Sequence, residues 1–226
     1  MSHQRITRGY GVLEGFLAQQ RSRVANALIP ASLRAGRLLD IGCGAYPLFL
    51  TQTRFARKFG LDKHVATLAA SLDRDGHSTL QLIRYDVEHG GHLPFRDDRF
   101  SVVTMLAVFE HIEIIRLVAL LSEVRRILQP GGRLVLTTPT KIAHSLLRGM
   151  AKAYLVSPIE IAEHKTCLSL AEILHVIEQA GFASSHAAHG YFELYLNHWL
   201  SVVKGGASGG ASATSSSLLS VREKGV

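Results

Sequence analysis

The sequence predicts an α/β protein built on an open, mostly parallel, doubly wound sheet. Three observations carry this. Short apolar runs alternate with helical segments five times between residues 38 and 138. The run Phe100–Ala107 is continuously apolar in pattern, as expected of a parallel strand buried on both faces. The run Leu38–Ile41 carries Asp40 and ends in Gly42-Cys43-Gly44. Two glycines there allow a sharp turn and a close ligand approach, and the turn delivers a helix N-terminus.

The elements follow in order. Tyr10, Leu13, Phe16, Leu17, Val24 and Leu28 recur three or four apart, one face of an amphipathic helix over 10–28 that Pro30 ends. Leu38–Ile41 is the first strand and Pro47–Phe55 a helix. Phe59–Asp62 is a second strand, and Val65–Leu72 reads as a short helix. Leu80–Tyr85 is a third strand, closed by Asp86. Gly90 to Asp98 is a loop by its Gly, Pro and Asp content. After the strand Phe100–Ala107 come a helix over Ile112–Leu128, a turn at Gln129-Pro130-Gly131-Gly132 and a fifth strand, Arg133–Thr138. Ile142–Val156 is an apolar, lightly basic insertion between Pro139 and Pro158. Ser169–Ala180 is a helix with Ser169 as N-cap, Glu172 at the capping-box position and Gly181 closing it. Phe182–Phe192 and His198–Lys204 supply two late strands. From Gly205 the chain is Gly-, Ala- and Ser-rich and is expected to be a disordered tail.

Composition narrows the function classes. The 226 residues, 47% hydrophobic and 19% charged, suit one full-sized soluble domain over 1–204 with a tail over 205–226. No apolar run reaches the ~18 residues of a membrane span, and no secretory leader is visible. With two cysteines, Cys43 and Cys167, a disulfide framework is excluded and a cytoplasmic location expected. No Cys/His spacing suits a metal. The net charge of +7 is uneven: six arginines stand against Glu14 alone in residues 1–39. A solvated helix face explains this; nucleic acid, anionic lipid or an acidic substrate are the alternatives.

Acids at strand ends are the useful evidence. Asp40, Asp62 and Asp86 close three successive strands and point into one crevice, where ligands of such sheets bind. Asp62 lies about 20 residues past the glycine turn, the spacing at which an acid reaches ribose hydroxyls. Asp86 lies one strand further across, where an adenine edge would offer its amino group, and the Val87 N–H could bond a ring nitrogen.

Leu39-Asp40-Ile41-Gly42-Cys43-Gly44, Gly60-Leu61-Asp62, Tyr85-Asp86-Val87, Leu93-Pro94-Phe95, Val108-Phe109-Glu110-His111-Ile112 and Leu128-Gln129-Pro130-Gly131-Gly132-Arg133-Leu134 come in that order. Together they resemble the motifs of class I S-adenosylmethionine-dependent methyltransferases, in style the small-molecule enzymes typified by quinone biosynthesis. The resemblance runs from about residue 37 to 204. It implies a Rossmann-like, seven-stranded sheet with one antiparallel strand and S-adenosylmethionine as cofactor. It places Asp40, Gly42, Cys43, Gly44 and Tyr46 around the methionine part. It gives the ribose to Asp62 with Lys63 beside it, the adenine to Asp86 and Val87, and a lining role to Leu106. It also implies a cofactor-covering helical segment over 1–36 and an acceptor lid over 140–168.

This sequence departs from the pattern at Tyr46, where a third glycine is common, and at Ala107, where relatives are larger and polar. Tyr46 either caps the cofactor, contacts the acceptor or only packs. Cys43 is a small packing residue rather than a nucleophile. His111 and His164 are candidate general bases, with His144 a weaker third; bracing of the following helix and a solvent-exposed turn are the respective alternatives. The apolar, lightly basic insertion suggests a hydrophobic or amphipathic small-molecule acceptor methylated at O, C or N, in a monomer or homodimer; partner-helix packing or membrane-surface contact is the rival reading of that segment. A nicotinamide oxidoreductase is disfavoured because the turn lacks a full G-x-G-x-x-G. A nucleic-acid methyltransferase is disfavoured by the lack of an amine-methylating motif after strand four. A catalytically degenerate binding subunit is the non-enzymatic alternative.

Overall fold

Successive side chains of a strand leave opposite faces of the sheet, and β1 (Arg37–Ile41) divides the core accordingly. Leu38 joins Ala25, Ile29, Phe49, Leu50 and Val102 on one face; Leu39 and Ile41 join Phe59, Leu61, Val103 and Met105 on the other. The computed structural model describes residues 14–65, 68–72, 79–143 and 165–206. The further strands are β2 (Arg57–Asp62), β3 (Leu68–Leu72), β4 (Thr79–Arg84), β5 (Phe100–Leu106), β6 (Leu128–Pro139), β7 (Ala187–Phe192) and β8 (Asn197–Val203). They form one sheet in the order β3-β4-β2-β1-β5-β6-β8-β7. Strands β4, β2, β1, β5 and β6 run parallel, and β8 is antiparallel to β6. Helices α1 (Glu14–Leu28) and α2 (Leu48–Gln52) cover the first face. Helices α3 (Ile114–Ile127) and α4 (Leu170–Gln179) cover the second.

The expected seven-stranded, doubly wound sheet is therefore present, and an eighth strand is added at its edge. Residues 68–72 form β3, antiparallel to β4, where the sequence suggests a helix over Val65–Leu72. Leu-Ala-Ala-Ser-Leu has good helix propensity, but five residues are too short to nucleate a helix alone, and β4 offers an unpaired edge. Helix α2 is shorter than the predicted Pro47–Phe55. The turn expected at 129–132 is a bulge inside β6: Phe100 faces Leu128, Val102 faces Arg133, and Gly131 takes a φ of 76°. The Ser169 capping box of α4 is present as expected. Lys141–Ala143 begin the insertion as helical residues, whereas 144–164 and the tail from 207 lie outside the described residues.

The loop carrying Leu93-Pro94-Phe95 is fixed by Arg126 at the end of α3. Its guanidinium donates to the carbonyls of Phe95 (2.9 Å) and Leu93 (3.2 Å) and pairs with Asp97 and Glu123. The Arg126 hydrogen bond is the main reason the Glu123 carboxyl is held down at about 2. Phe95 then packs edge-on against Phe59 and Phe100, with centroids 6.1 and 4.9 Å away.

Candidate active site

The turn after β1 is tied to the end of β2. The N–H groups of Gly42 and Cys43 both donate to the Leu61 carbonyl, at 2.7 and 3.2 Å. Gly42 (φ 73°) and Gly44 (φ 72°) are left-handed, a conformation that favours glycine. A Cβ on Gly42 would stand 2.4 Å from Val108 Cγ2, whereas a Cβ on Gly44 would meet nothing within 4 Å. Gly42 is thus closed against the connection after β5, while Gly44 borders open space. The Gly44 N–H donates to Asp62 Oδ2 at 3.0 Å, and the His64 N–H donates to Asp62 Oδ1 at 2.7 Å. Asp62 is buried and holds the two backbone segments that frame the crevice.

Asp40 and Asp62 point to the same face of neighbouring strands. Asp40 is 3% exposed, and its Oδ1 accepts the Thr104 hydroxyl at 2.6 Å. Burial raises its pKa from 3.8 to about 7; the Thr104 hydrogen bond opposes the rise and the Asp62 charge adds to it. A positive charge brought close to such a carboxyl favours its ionised form and lowers its pKa again. Cys43 packs over β2, where a Cβ on Gly60 would approach its Sγ to 2.7 Å. Burial, then the Asp40 and Asp62 charges, push its thiol well above its usual pKa, which suits packing and not nucleophilic chemistry.

Known proteins resemble this chain. Residues 39–136 match the methyltransferase domain family. A Mycolicibacterium smegmatis protein named "probable S-adenosylmethionine-dependent methyltransferase" is 33% identical over 152 residues, 66% of this chain and 52% of that protein. Residues 39–136 therefore carry a methyltransferase domain of the S-adenosylmethionine-dependent kind. The chain spans about half the length of that relative. Among solved structures, an S-adenosylmethionine-dependent methyltransferase of Mesorhizobium loti is 18% identical. It covers 84% of this chain and 99% of its own, with a TM-score of 0.54. A complex between the Haloferax volcanii Trm112 methyltransferase activator and a methyltransferase contains a chain 16% identical, covering 88% of this chain and 98% of its own at a TM-score of 0.58. At such identities these structures speak for the fold alone.

Within the methyltransferase domain, Asp40, Gly42, Cys43, Gly44 and Asp62 converge at the carboxyl ends of β1 and β2. Tyr46 stands on the same turn, 49% exposed. Leu106 is half-buried at the end of β5. The ammonium of Lys63 turns to Glu88 at 2.7 Å, and Lys165 reaches the same carboxylate at 2.7 Å. Burial of Glu88 works against this pairing, yet both lysines together hold its carboxyl below the usual range. Asp86 lies past β4 with its carboxylate on its own loop: Oδ1 accepts the Glu88 N–H at 2.9 Å, and Oδ2 lies 3.0 Å from His89 Nδ1. Val87 packs on the core below. His111 ends a 3-10 turn (Phe109–His111) after β5, half-buried at the mouth of the methyltransferase domain. His144 and His164 lie outside the described residues.

Three features of the site are not found by sequence reasoning. Thr104 is a polar residue inside an apolar strand, and that exception is the signal that could have exposed it. Glu110 is 4% exposed, accepts the Thr138 hydroxyl at 3.1 Å, and has its carboxyl raised by burial against the opposing charge of His111. Glu88 leaves no local signature, because its partner Lys165 is 77 residues away. Ala107 takes a left-handed φ of 57°, and its N–H donates to the Thr137 carbonyl at 3.0 Å; nothing in the structure explains why alanine stands there.

Proposed function

We propose that this chain transfers the methyl group of S-adenosylmethionine to a small hydrophobic or amphipathic acceptor. One observation carries the acceptor class. Several large apolar side chains are exposed on connections at the carboxyl end of the parallel strands: Tyr46 after β1, Ile115 at the start of α3, Ile142 after β6, and Leu194 and Tyr195 between β7 and β8. Exposed apolar side chains on the loops beside a cleft suit an apolar ligand.

The residues fit the cofactor. The open side of Gly44 admits it, and Asp40 faces the crevice as a buried carboxyl that a cation would ionise. Asp62 keeps acceptor capacity beyond its two backbone bonds, because an ionised carboxylate has about four lone-pair sites. We assign Asp40, Gly42, Cys43, Gly44 and Tyr46 to the methionine end, Asp62 and Lys63 to the ribose, Asp86 and Val87 to the adenine, and Leu106 to the wall. When bound, the cofactor supplies a methyl group already activated by a positive sulfur. What remains for the chain is alignment of the acceptor and exclusion of water; alignment alone is worth ~7–11 kcal/mol in favourable cases. The apolar rim does both. His111, beside the buried Glu110, is placed to take a proton from an oxygen or carbon acceptor.

The test is methyl transfer from labelled S-adenosylmethionine to a panel of apolar phenols, quinols and long-chain acids, set against polar amines and a short RNA. Label is expected in the apolar set. Transfer confined to RNA or to polar amines would contradict the acceptor class.

Asp40 gives a pH prediction. The folded protein holds its proton up to about pH 7, while the unfolded chain releases it near 3.8. The stability from this group is therefore full below the unfolded value and is lost as pH rises through about 7. A cationic ligand beside Asp40 favours the ionised form, so S-adenosylmethionine affinity should rise with pH over the same window. Thr104→Val removes the hydroxyl that favours ionisation and should move the inflection to higher pH. A flat calorimetric Kd between acid and neutral pH, or superimposed profiles for the two proteins, would contradict the placement.

A further inference from the structure

We propose that the amino-terminal end of the sheet, opposite the cofactor crevice, is a second binding site that takes a compact anion carrying adjacent phosphoryl groups on Arg37, Arg57, Arg96 and Arg99. Arg37 and Arg57 are register partners at the starts of β1 and β2. Hydrogen-bonded strands lie about 4.8 Å apart, so the two side chains leave one face side by side. Arg37 Nη1 reaches the Arg99 carbonyl at 3.5 Å, and the Arg99 guanidinium lies 5.5 Å over the Phe59 ring. Arg96 follows Phe95, whose ring packs on Phe59 and Phe100. The aromatic cluster therefore carries Arg99 directly and Arg96 through the backbone of Phe95, and Arg37 joins them at the Arg99 carbonyl.

The charges are not compensated within the described residues. Asp97 and Asp98 sit between Arg96 and Arg99 in sequence, but Asp97 pairs with Arg126 and Asp98 with Lys204, each at 2.7 Å. No carboxylate among the described residues pairs with any of the four arginines. The Nε atoms of Arg37 and Arg99 are buried without a hydrogen-bond partner. Burial, then the charges of Arg37, Arg57 and Arg96, hold the Arg99 pKa below its usual value, the direction that crowding of like charges gives. Arg57 and Arg96 are exposed, so the group opens to solvent.

Like charges gathered without an acid raise the energy of the protein, and an anion placed among them lowers it. Guanidinium forks pair with the oxygens of carboxylates and phosphates alike, and the higher charge of adjacent phosphoryl groups suits four cations better than a lone halide or carboxylate does. The extent of the site limits the ligand. Four arginines around two strand starts suit one or two phosphoryl groups, whereas a nucleic-acid backbone needs a longer stripe of cations. A shallow groove of about 470 Å³, lined in part by Pro94, Phe95 and Arg96, adjoins the cluster and offers room for the rest of such a molecule. The ligand is either a free polyphosphate compound or a phosphorylated headgroup; the chemistry is shared.

The experiment titrates the full chain with inorganic pyrophosphate by calorimetry and thermal shift, at constant ionic strength. Saturable binding with a raised Tm is expected in the wild type. In the Arg57→Gln/Arg96→Gln double variant, affinity should fall roughly tenfold or more, because charge-assisted hydrogen bonds are lost, while S-adenosylmethionine binding stays unchanged and reports a folded protein. Pyrophosphate release of the chain from vesicles containing phosphorylated inositol headgroups would assign the headgroup source; binding to pyrophosphate without vesicle binding would assign the free one. Absence of saturable pyrophosphate binding, equal affinity in the double variant, or binding only to a short RNA or to phosphatidylserine vesicles would overturn the proposal.

Discussion

Gly42→Ala is expected to destabilise the protein by about 2–5 kcal/mol. Two costs combine. Placing a side chain in the left-handed region costs roughly 1–2 kcal/mol, and Gly42 has a φ of 73°. Overpacking costs another ~1–3 kcal/mol, and the new Cβ would stand 2.4 Å from Val108 Cγ2. Val108 cannot swing aside cheaply, because a β-branched side chain is stiff at χ1 and this one is 7% exposed. Val108 also precedes the turn that carries Glu110 and the proposed base His111. Urea unfolding with an unchanged m-value would measure the effect. Gly91→Ala is the control: nothing lies within 4 Å of its added Cβ, and a shift within about 0.5 kcal/mol is expected. Equal midpoints for the Gly42 variant and wild type would show that the turn does not close as described.

Asp62→Ala is expected to weaken S-adenosylmethionine binding by about 1.5–3 kcal/mol, roughly ten- to a hundredfold, the worth of hydrogen bonds to a charged group. It acts in two ways. The proposed ribose contact is lost, and the N–H groups of Gly44 and His64 lose the acceptors that hold them at 3.0 and 2.7 Å. Asp62→Asn separates these effects. Its amide keeps one oxygen for a backbone N–H but loses the charge, so an intermediate affinity is expected. A variant that binds as the wild type does would remove Asp62 from the cofactor site.

Much of the fold is legible because its signals are local. The apolar strand Phe100–Ala107, the Ser169 and Glu172 capping box and the glycine turn each declare themselves within a few residues. Residues 68–72 are misleading for the opposite reason: their propensity is helical, and only the free edge of β4, a tertiary fact, makes them a strand. The crevice was legible at Asp40 and Asp62, which stand near the carboxyl ends of neighbouring strands, Asp62 two residues beyond the register partner of Asp40. Its supports were less so. Thr104 supports Asp40 through a β1–β5 pairing of residues 64 apart, and Glu88 joins Lys63 to Lys165 across the mouth. Side chains that meet only after folding leave no spacing rule in the chain. The arginine group at the other end is similar: Arg37, Arg57, Arg96 and Arg99 look like scattered surface charges until strand register gathers them.

The central claim is that the crevice after β1 and β2 holds S-adenosylmethionine through Asp62. Calorimetric titration of the wild type and Asp62→Ala with S-adenosylmethionine, and with NADH as a second nucleotide, tests it most directly. One saturable S-adenosylmethionine site per chain is expected, weakened at least about tenfold in the variant, with no saturable heat from NADH. A folded wild-type protein that gives no heat with S-adenosylmethionine, or that binds NADH in its place, would contradict it.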